Sequence, residues 1–374
     1  MGGIRSFHLP PRGALIHELA GSVGNFGTVL PLVLGVALAA EMSLGVILLF
    51  FGIWYIAIGL FYRIPVPVEP MKAIAAIVIA QGASAGEIAA SGLILGGACL
   101  VLGTIGGMQT LQRWIPESVV RGIQLGLALI LLRTSVNFIL PDPGFAALSI
   151  AIILVFFAVT RVGSIPDISA LLVIGLGVAF GLVTTGIGSV DLLVLPSLVI
   201  PTLPQSMEAF WTLVLPQFPL VLTNATLATA LLAHDLYGRD IRPDTLCTSI
   251  GIMNLVSSPL GGFPMCHGAG GLAAHSRFGA RGGLAMVIGG VIFLTIALFF
   301  GHPDTLAMLP VGLFGALLVF VAIEIGRHGF RTDRRPVTWS MAVVAVLFGM
   351  TAAFLWGIVV ALALSRLGRG DAEA

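Results

Sequence analysis

The sequence has little charge and almost no lysine. Of its 374 residues, 9% are Asp, Glu, Lys or Arg, and Lys72 is the only lysine among 18 basic residues. Soluble domains carry about 25% charged residues, and the mean hydropathy here is +1.08, so membrane lipid is the expected surrounding. The net charge of +1 argues against a nucleic-acid partner, which needs a clustered basic face.

Cysteine is also scarce, and no catalytic or metal-binding cluster is apparent. Cys99, Cys247 and Cys266 are an odd number, lie far apart and fall mostly inside apolar runs, so neither a disulfide framework nor a zinc site is indicated. No Ser/His/Asp arrangement or metal-ligand spacing stands out. We therefore expect no metal, no cofactor and no catalytic residues, which argues against an enzyme.

Long apolar runs fill most of the chain. A membrane span needs about 20 predominantly apolar residues, and two further segments, 64–81 and 262–275, are too interrupted to be plain spans. If both of these cross the bilayer, the sequence predicts an all-α polytopic membrane protein with fourteen transmembrane segments. The twelve uninterrupted runs are 17–38, 43–62, 87–107, 117–139, 145–160, 168–187, 208–233, 244–258, 280–300, 305–325, 338–351 and 353–367.

The arginines favour this number of crossings. Cytoplasmic loops near span ends collect Lys and Arg, and with fourteen crossings 16 of the 18 basic residues fall on one side of the membrane. Arg133 then lies outside, and Lys72 lies within the bilayer. We therefore expect both termini, including residues 1–12, to be cytoplasmic. A cation at mid-membrane depth is costly unless it is paired, hydrated or functional, so Lys72 marks a candidate site.

The two halves of the chain echo each other in the same order. Pro-Leu-Val-Leu at 31–34 recurs at 219–222, and Pro-Met at 70–71 recurs at 264–265. Internal repeats of this kind are typical of transporters. Because each half holds seven crossings, an odd number, the second copy must be inverted in the membrane. The predicted repeats occupy residues 13–190 and 205–368.

The two interrupted segments are predicted to be extended first and helical afterwards. Alternating prolines exclude a helix at the start of the first segment, and Pro70 suits the first turn of the helix that follows. The second segment has Pro264 and then glycines that let a ligand approach the backbone. Irregular backbone at membrane depth is tolerated where it lines a cavity. Short half-helices would then form at segments 3 and 10, with their N-termini facing each other, and these N-termini would bind an anion. The alternative is a pair of helix kinks that serve packing alone.

Residues around these N-termini are candidates for substrate binding. Backbone donors are expected at 71–73 and 268–271. Lys72 would attract a dianion or neutralise Glu69, and a protonated Glu69 would donate a hydrogen bond instead of repelling the ligand. His267 could donate to a substrate oxygen or carry a proton, or it could hold a structural hydrogen bond. Polar residues inside spans usually face the helix bundle or a cavity, so Asn25, Thr28 and Asn224 are candidates to bind one ligand. Hydrogen bonding between helices is the alternative role for them. The candidate binding residues are Asn25, Thr28, Glu69, Pro70, Met71, Lys72, Ala73, Asn224, His267, Gly268, Ala269, Gly270 and Gly271, and the candidates for proton coupling are Glu69 and His267.

The interrupted segments resemble the signatures of a known family. Pro-Val-Pro-Val-Glu-Pro-Met-Lys-Ala-Ile-Ala occupies 65–75, and Phe-Pro-Met-Cys-His-Gly-Ala-Gly-Gly-Leu occupies 263–272, with Arg-Phe-Gly-Ala-Arg following at 277–281. Both are similar to the two signatures of the MOT-type molybdate transporters, which are relatives of the sulfate permeases. The similarity covers most of the chain and includes Glu-Leu-Ala-Gly at 18–21 and Phe-Gly-Thr at 26–28.

The resemblance implies a fold like that of uracil permease and sulfate permease, a 7+7 inverted repeat with substrate between the short third and tenth helices. Transport would be an elevator-like or rocking movement of a core domain against a gate domain, and a homodimer is compatible with it. Glu69 and Asn25 depart from the family pattern, which usually has Gln and Asp there, so the coupling mechanism is not carried over. Eight residues follow Arg366, so the C-terminal STAS domain of many sulfate permeases is expected to be absent. The implied core domain is about 13–110 and 205–301, and the gate domain about 113–190 and 303–368.

The sequence as a whole predicts a secondary active transporter that moves molybdate inward across a bacterial inner membrane, with proton coupling as a further hypothesis. A sulfate transporter is the nearest alternative, because both substrates are tetrahedral dianions that helix dipoles distinguish poorly. A nucleobase:proton symporter on the same fold is another, since Glu69 could bind ring N–H groups. An ion channel or a membrane-embedded enzyme belongs to a different class; currents without saturation would identify a channel, and an enzyme would need a catalytic cluster.

Overall fold

Apolar helices make up most of the structure, a computed structural model that describes residues 12–108, 116–162, 168–185, 195–300, 308–330 and 335–370. In chain order the helices are α1 (Arg12–Ser22), α2 (Phe26–Ala39), α3 (Leu44–Tyr62), α4 (Lys72–Gln81), α5 (Ala85–Ile105), α6 (Glu117–Ile139), α7 (Pro143–Val162), α8 (Ser169–Thr185), α9 (Leu203–Tyr237), α10 (Pro243–Ser257), α11 (Ala269–Arg277), α12 (Leu284–Phe300), α13 (Val311–Gly329), α14 (Arg335–Phe348) and α15 (Met350–Gly370). Strands β1 (Glu69–Pro70) and β2 (Met265–Cys266) precede α4 and α11. The predicted helical class is confirmed.

Each predicted apolar run overlaps one or two of these helices: the run 17–38 is divided between α1 and α2, and the run 338–351 between α14 and α15. Residues 186–187 and 305–307 of two other runs lie outside the described residues. Within the described ranges, five helical stretches are long and apolar enough to cross a membrane: Leu15–Ala39, Leu44–Tyr62, Ala85–Ile105, Glu117–Ile139 and Leu203–Tyr237. Shorter apolar helices of 10–17 residues make up much of the rest. The number of fourteen crossings stays a prediction, because these shorter helices do not establish it by length alone.

The two interrupted segments have the extended-then-helical form that the sequence predicts. β1 and β2 pair antiparallel, with Glu69 opposite Cys266 and Pro70 opposite Met265. One detail differs: Pro70 lies in the strand, and the helix begins two residues later, at Lys72. The physical reason is the strand pairing, since the Met71 N–H donates to the Pro264 carbonyl at 2.9 Å and holds the backbone extended up to the start of α4.

The helices pack in two sets. In the first set, which comprises α1–α5 and α9–α12, α3 lies along α12 and α5 lies along α10. In the second set, α6–α8 and α13–α15, α6 lies along α13 and α14. Exchanging the two repeats converts the α3–α12 pair into the α10–α5 pair, as an inverted repeat requires. Contacts of α2 with α13 and of α4 with α6 join the sets.

Glycines allow the closest helix contacts of the first set. A Cβ atom added at Gly290 on α12 would lie 2.6 Å from the Gly52 carbonyl oxygen on α3, and one added at Gly283 would overlap the Gly59 carbonyl. Small residues at helix interfaces let backbones approach within membranes. The α3–α12 pair is therefore held together by backbone-to-backbone packing.

Glu18 ties the first helix to the start of α12. Its buried carboxylate accepts hydrogen bonds from the backbone N–H groups of Arg281, Gly282 and Ala285 at 2.8–2.9 Å. These N–H groups lie at a helix N-terminus, where intrahelical acceptors are lacking and a negative charge is favoured. The contact joins segments 263–267 residues apart in the sequence and fixes the chain that leaves α11.

Candidate anion-binding site

A small cavity lies where the two half-helices meet. Its volume is about 70 Å³, and a single water needs about 10–15 Å³ by the same measure, so the cavity has room for a small polyatomic ion. Its walls come from α2, β1–α4, α9 and β2–α11 of the first set, and from α6 and α13 of the second. The cavity therefore lies between the two helix sets.

Seven of the thirteen predicted binding residues line this cavity: Asn25, Thr28, Glu69, Lys72, Asn224, Gly270 and Gly271. The other six, which do not line it, are Pro70, Met71, Ala73, His267, Gly268 and Ala269. The structure thus brings together predicted residues from four elements that are up to 246 positions apart in the sequence.

Glu69 and Lys72 form an ion pair at the edge of the cavity. The Lys72 Nζ lies 2.7 Å from Glu69 Oε2, and the Asn25 amide donates to Glu69 Oε1 at 3.0 Å. The Glu69 side chain is 1% exposed, whereas that of Lys72 is 20% exposed. The lysine is therefore the charged group of this pair that a ligand in the cavity can reach.

The Glu69 carboxylate also packs against the N-terminal turn of α11. A Cβ atom added at Gly268 would overlap Glu69 Oε2, and one added at Gly271 would overlap Glu69 Oε1 and lie 2.7 Å from the Asn25 amide nitrogen. Glycine at these positions lets the carboxylate approach the helix N-terminus, where the helix dipole favours a negative charge. The protein thus supplies its own anion at the second half-helix.

The backbone donors of the first half-helix are largely used by the protein itself. The Met71 N–H donates to Pro264, and the Ala73 N–H donates to the Gln217 side-chain oxygen at 2.9 Å. Of the three predicted amides at 71–73, two are therefore removed as ligand donors. Because Gln217 lines the cavity and its oxygen is occupied, its NH₂ group is the part that can donate to a ligand.

His267 lies behind the cavity wall and is fully buried. Its Nδ1 lies 2.8 Å from the Pro67 carbonyl, and its Nε2 lies 2.7 Å from the Ser249 hydroxyl. Both ring nitrogens are therefore occupied by the protein, which supports the structural interpretation of this histidine. It orients the extended chain ahead of Glu69 instead of facing a substrate.

Asn224 lies in an irregular part of α9. The stretch Val221–Ala228 is π-helical, and the Thr229 hydroxyl donates to the Asn224 carbonyl, five residues back, at 2.9 Å. Such π-helical stretches are frequent at functional sites, because the extra residue re-aims the side chains around it. The irregular turn carries Asn224 to the cavity wall.

Gln124 and Glu324 line the cavity from the second helix set and are absent from the predicted site. Gln217 from the first set is absent as well. The sequence did contain a signal for these three residues, because each is a polar residue inside an apolar run. Polar and ionisable residues within membrane spans are candidates for a functional role. What the sequence lacks is any indication that α6 and α13 face the half-helices.

An intramembrane cavity between paired half-helices, with a cation at its edge, defines a membrane transporter of the inverted-repeat class. The family model described as "Molybdate transporter of MFS superfamily" matches residues 17–131 and 209–325 of the chain, one block in each repeat. The chain belongs to this molybdate transporter family. It is accordingly a multi-pass membrane transporter and not an enzyme.

Relatives in plants and algae agree with this assignment. The chain is 31% identical to Molybdate transporter 2 of Arabidopsis thaliana, with 94% of this chain and 88% of the relative covered. It is 33% identical to Molybdate transporter 1 of the same plant over 82% of the chain and 78% of the relative. Molybdate transporter 1 of Chlamydomonas reinhardtii is 26% identical, with 88% and 86% covered.

Solved structures share the fold at lower sequence identity. The transmembrane domain of the cyanobacterial bicarbonate transporter BicA superimposes with a TM-score of 0.69 at 17% identity, covering 92% of this chain and 98% of that one. The murine Slc26a9 anion transporter in its inward-facing state gives 0.70 at 16% identity, covering 96% and 69%. The predicted sulfate permease-like fold class is thereby confirmed.

Proposed function

We propose that this chain is a secondary active transporter of molybdate. The observation that carries the proposal is the position of Lys72, a cation at a cavity between two half-helix N-termini. The family and the names of the relatives support molybdate as the substrate. Sulfate is the competing candidate, because it has the same charge and tetrahedral shape.

The anion would bind beside Lys72 at the N-terminal turn of α11. Gly270 and Gly271 bring the backbone of that turn to the cavity, and nothing lies within 4 Å of the space beside Gly270. Side-chain donors would be the amides of Gln217 and Asn224 and the hydroxyl of Thr28, which line the same cavity. Charge-assisted hydrogen bonds of this kind are shorter and stronger than neutral ones.

Glu69 would act as the counter-ion that the substrate replaces. Its carboxylate holds Lys72 and occupies the dipole end of α11 in the structure. A protonated Glu69 would no longer neutralise Lys72, so the positive charge of Lys72 would be available to the anion. Glu69 is therefore the proposed carrier of a coupled proton, whereas the buried and fully bonded His267 has a structural role.

Movement of the two helix sets against each other would give alternating access. We take the first set as the core domain and the second as the gate domain, because the cavity lies between the two sets. We propose both termini on the cytoplasmic side of a bacterial inner membrane, in accord with the distribution of arginine. Uptake would then run inward.

Equilibrium binding to the purified protein in detergent tests the substrate. Molybdate, tungstate, sulfate and uracil are titrated separately by isothermal calorimetry at one ionic strength, because ionic interactions depend on salt. We expect saturable binding of molybdate and tungstate with weaker binding of sulfate. Uracil binding without oxyanion binding, or equal affinity for sulfate and molybdate, would contradict the proposal.

A further inference from the structure

The second helix set supplies two polar groups to the cavity, and neither is a cation. Gln124 on α6 and Glu324 on α13 line it together with apolar Leu127 and Ile325. A carboxylate in an anion site is unexpected, because its oxygens only accept hydrogen bonds when it is ionised. Its presence opposite Lys72 therefore requires an explanation.

Charges near Glu324 come from three elements. On α13 itself, Arg327 Nη1 lies 3.2 Å from Glu324 Oε2, and its guanidinium stacks over the Phe157 ring of α7 at 4.3 Å. From α4, Lys72 interacts with it electrostatically across the cavity. From α6, Arg121 donates to the Gln124 oxygen at 3.3 Å and pairs with Glu117.

The remaining elements packed on α13 contribute little charge in the described part of the chain. Neither α2 nor α8 carries a charged residue, and the one charged residue of α7 is Arg161 near its end. Glu69 faces the cavity from β1 and is neutralised by Lys72. The groups around the cavity therefore form two ion pairs with no net charge left to attract a dianion.

A proton on Glu324 changes this balance. It removes one negative charge, leaves the charge of Arg327 uncancelled, and converts an acceptor into an O–H donor. Gln124 reinforces the change, because its oxygen is held by Arg121 and its NH₂ remains to donate. The second helix set then presents donors to the anion in place of a repelling charge.

We infer that Glu324 is a selectivity residue of this transporter, binding the oxyanion as a protonated carboxyl whose O–H donates to a substrate oxygen. The proton comes from water when the anion enters and returns to water when it leaves. Molybdate is the conjugate base of a weaker acid than sulfate, so its oxygens accept this hydrogen bond more strongly. The inference rests on the proposed function, and it identifies Glu324 as the group that would make the site prefer molybdate to sulfate.

The test is the ratio of molybdate to sulfate affinity at pH 6 and pH 8 on the purified transporter. In the wild type we expect the ratio to be at least fivefold higher at pH 6, because the hydrogen bond that favours molybdate needs a proton taken up on binding, and protons are more abundant at the lower pH. In Glu324→Gln, whose amide donates equally at both pH values, we expect the ratio to change less than twofold. Glu324→Asp, which keeps a carboxyl group, should follow the wild type.

Glu208→Gln is the matched control, since Glu208 is an exposed glutamate of α9 away from the cavity. It should keep the wild-type ratio at both pH values. A wild-type pH response that persists in Glu324→Gln would overturn the inference while leaving the proposed function intact. A wild-type protein that binds neither oxyanion would overturn the proposed function, and the inference with it.

Discussion

Lys72 and Glu69 face each other at 2.7 Å and are three residues apart in the chain, yet they differ in their access to the cavity. The carboxylate is enclosed by Asn25 and the glycines of α11, while a fifth of the lysine side chain is exposed. Removing one partner of a buried ion pair leaves an uncompensated charge. A ligand that replaces Glu69 must therefore itself be an anion, which is the basis of the predictions below.

Lys72→Ala should weaken molybdate binding more than tenfold. The change removes the one cation that lines the cavity in the described part of the chain, and a tenfold loss corresponds to about 1.4 kcal/mol. Lys72→Arg keeps the charge with a different shape and should retain part of the affinity. Isothermal calorimetry on both variants measures the effect, and equal affinity in the wild type and both variants would refute the role of Lys72.

Glu69→Gln should make molybdate uptake less dependent on pH. Glutamine can still accept the Asn25 hydrogen bond, but it cannot take up a proton and it no longer neutralises Lys72. Uptake of labelled molybdate into proteoliposomes at several external pH values measures the response. If the variant responds to pH as strongly as the wild type, Glu69 does not carry the coupled proton.

Gly271→Ala should weaken binding at least tenfold, because its Cβ atom would overlap Glu69 Oε1, lie 2.7 Å from the Asn25 amide nitrogen and so distort the cavity wall beside which the anion binds. Gly97→Ala on α5 is the control, since its Cβ atom meets nothing within 4 Å and Gly97 does not line the cavity. Calorimetry on both variants provides the comparison. The shorter side chain of Glu69→Asp should restore part of the loss in Gly271→Ala, and a double-mutant cycle measures that coupling. Equal losses at 97 and 271 would contradict this account.

The sequence was informative about the half-helices because their chemistry is local. Proline excludes helix and glycine admits close approach, so the extended-to-helical form of both segments and the position of Lys72 at a helix start could be predicted. The placement of Pro70 in a helix was wrong, because its strand pairs with β2 through a partner nearly 200 residues away. Long-range pairing of this kind leaves no mark in a local pattern.

The second wall of the cavity could not be predicted for a related reason. Gln124 and Glu324 are conspicuous as polar residues in apolar spans, but their relevance depends on which helices pack beside the half-helices. In the same way, the N–H groups of Met71 and Ala73, which were predicted as ligand donors, have their acceptors at Pro264 and Gln217 in the other repeat. The site is assembled from residues of both repeats. The order of residues in the sequence does not show which residues of one repeat lie beside those of the other.

Glu18→Gln should lower thermal stability without changing affinity for molybdate. The carboxylate accepts three backbone hydrogen bonds at the start of α12, and hydrogen bonds to charged groups contribute about 1.5–3 kcal/mol each. Because glutamine keeps one acceptor oxygen, we expect a net loss of about 2–4 kcal/mol. Thermal unfolding in detergent measures it, with Glu208→Gln as the control. An unchanged Tm would show that these bonds do not stabilise the fold.

A disulfide between the two helix sets should stop transport and spare binding. A Cβ atom added at Gly27 on α2 would lie 3.6 Å from the Ala170 Cβ on α8, within the range of about 3.5–4.5 Å that disulfides need. Gly27→Cys combined with Ala170→Cys would thus join a core helix to a gate helix. When oxidised, this variant should bind molybdate as the wild type does but lose uptake into proteoliposomes, and reduction should restore it. The single variant Gly27→Cys, treated with the same oxidant, is the control that should keep its transport. Full transport by the oxidised Gly27–Ala170 variant would mean that the two sets do not move against each other at this contact, and the core-against-gate mechanism would have to be abandoned.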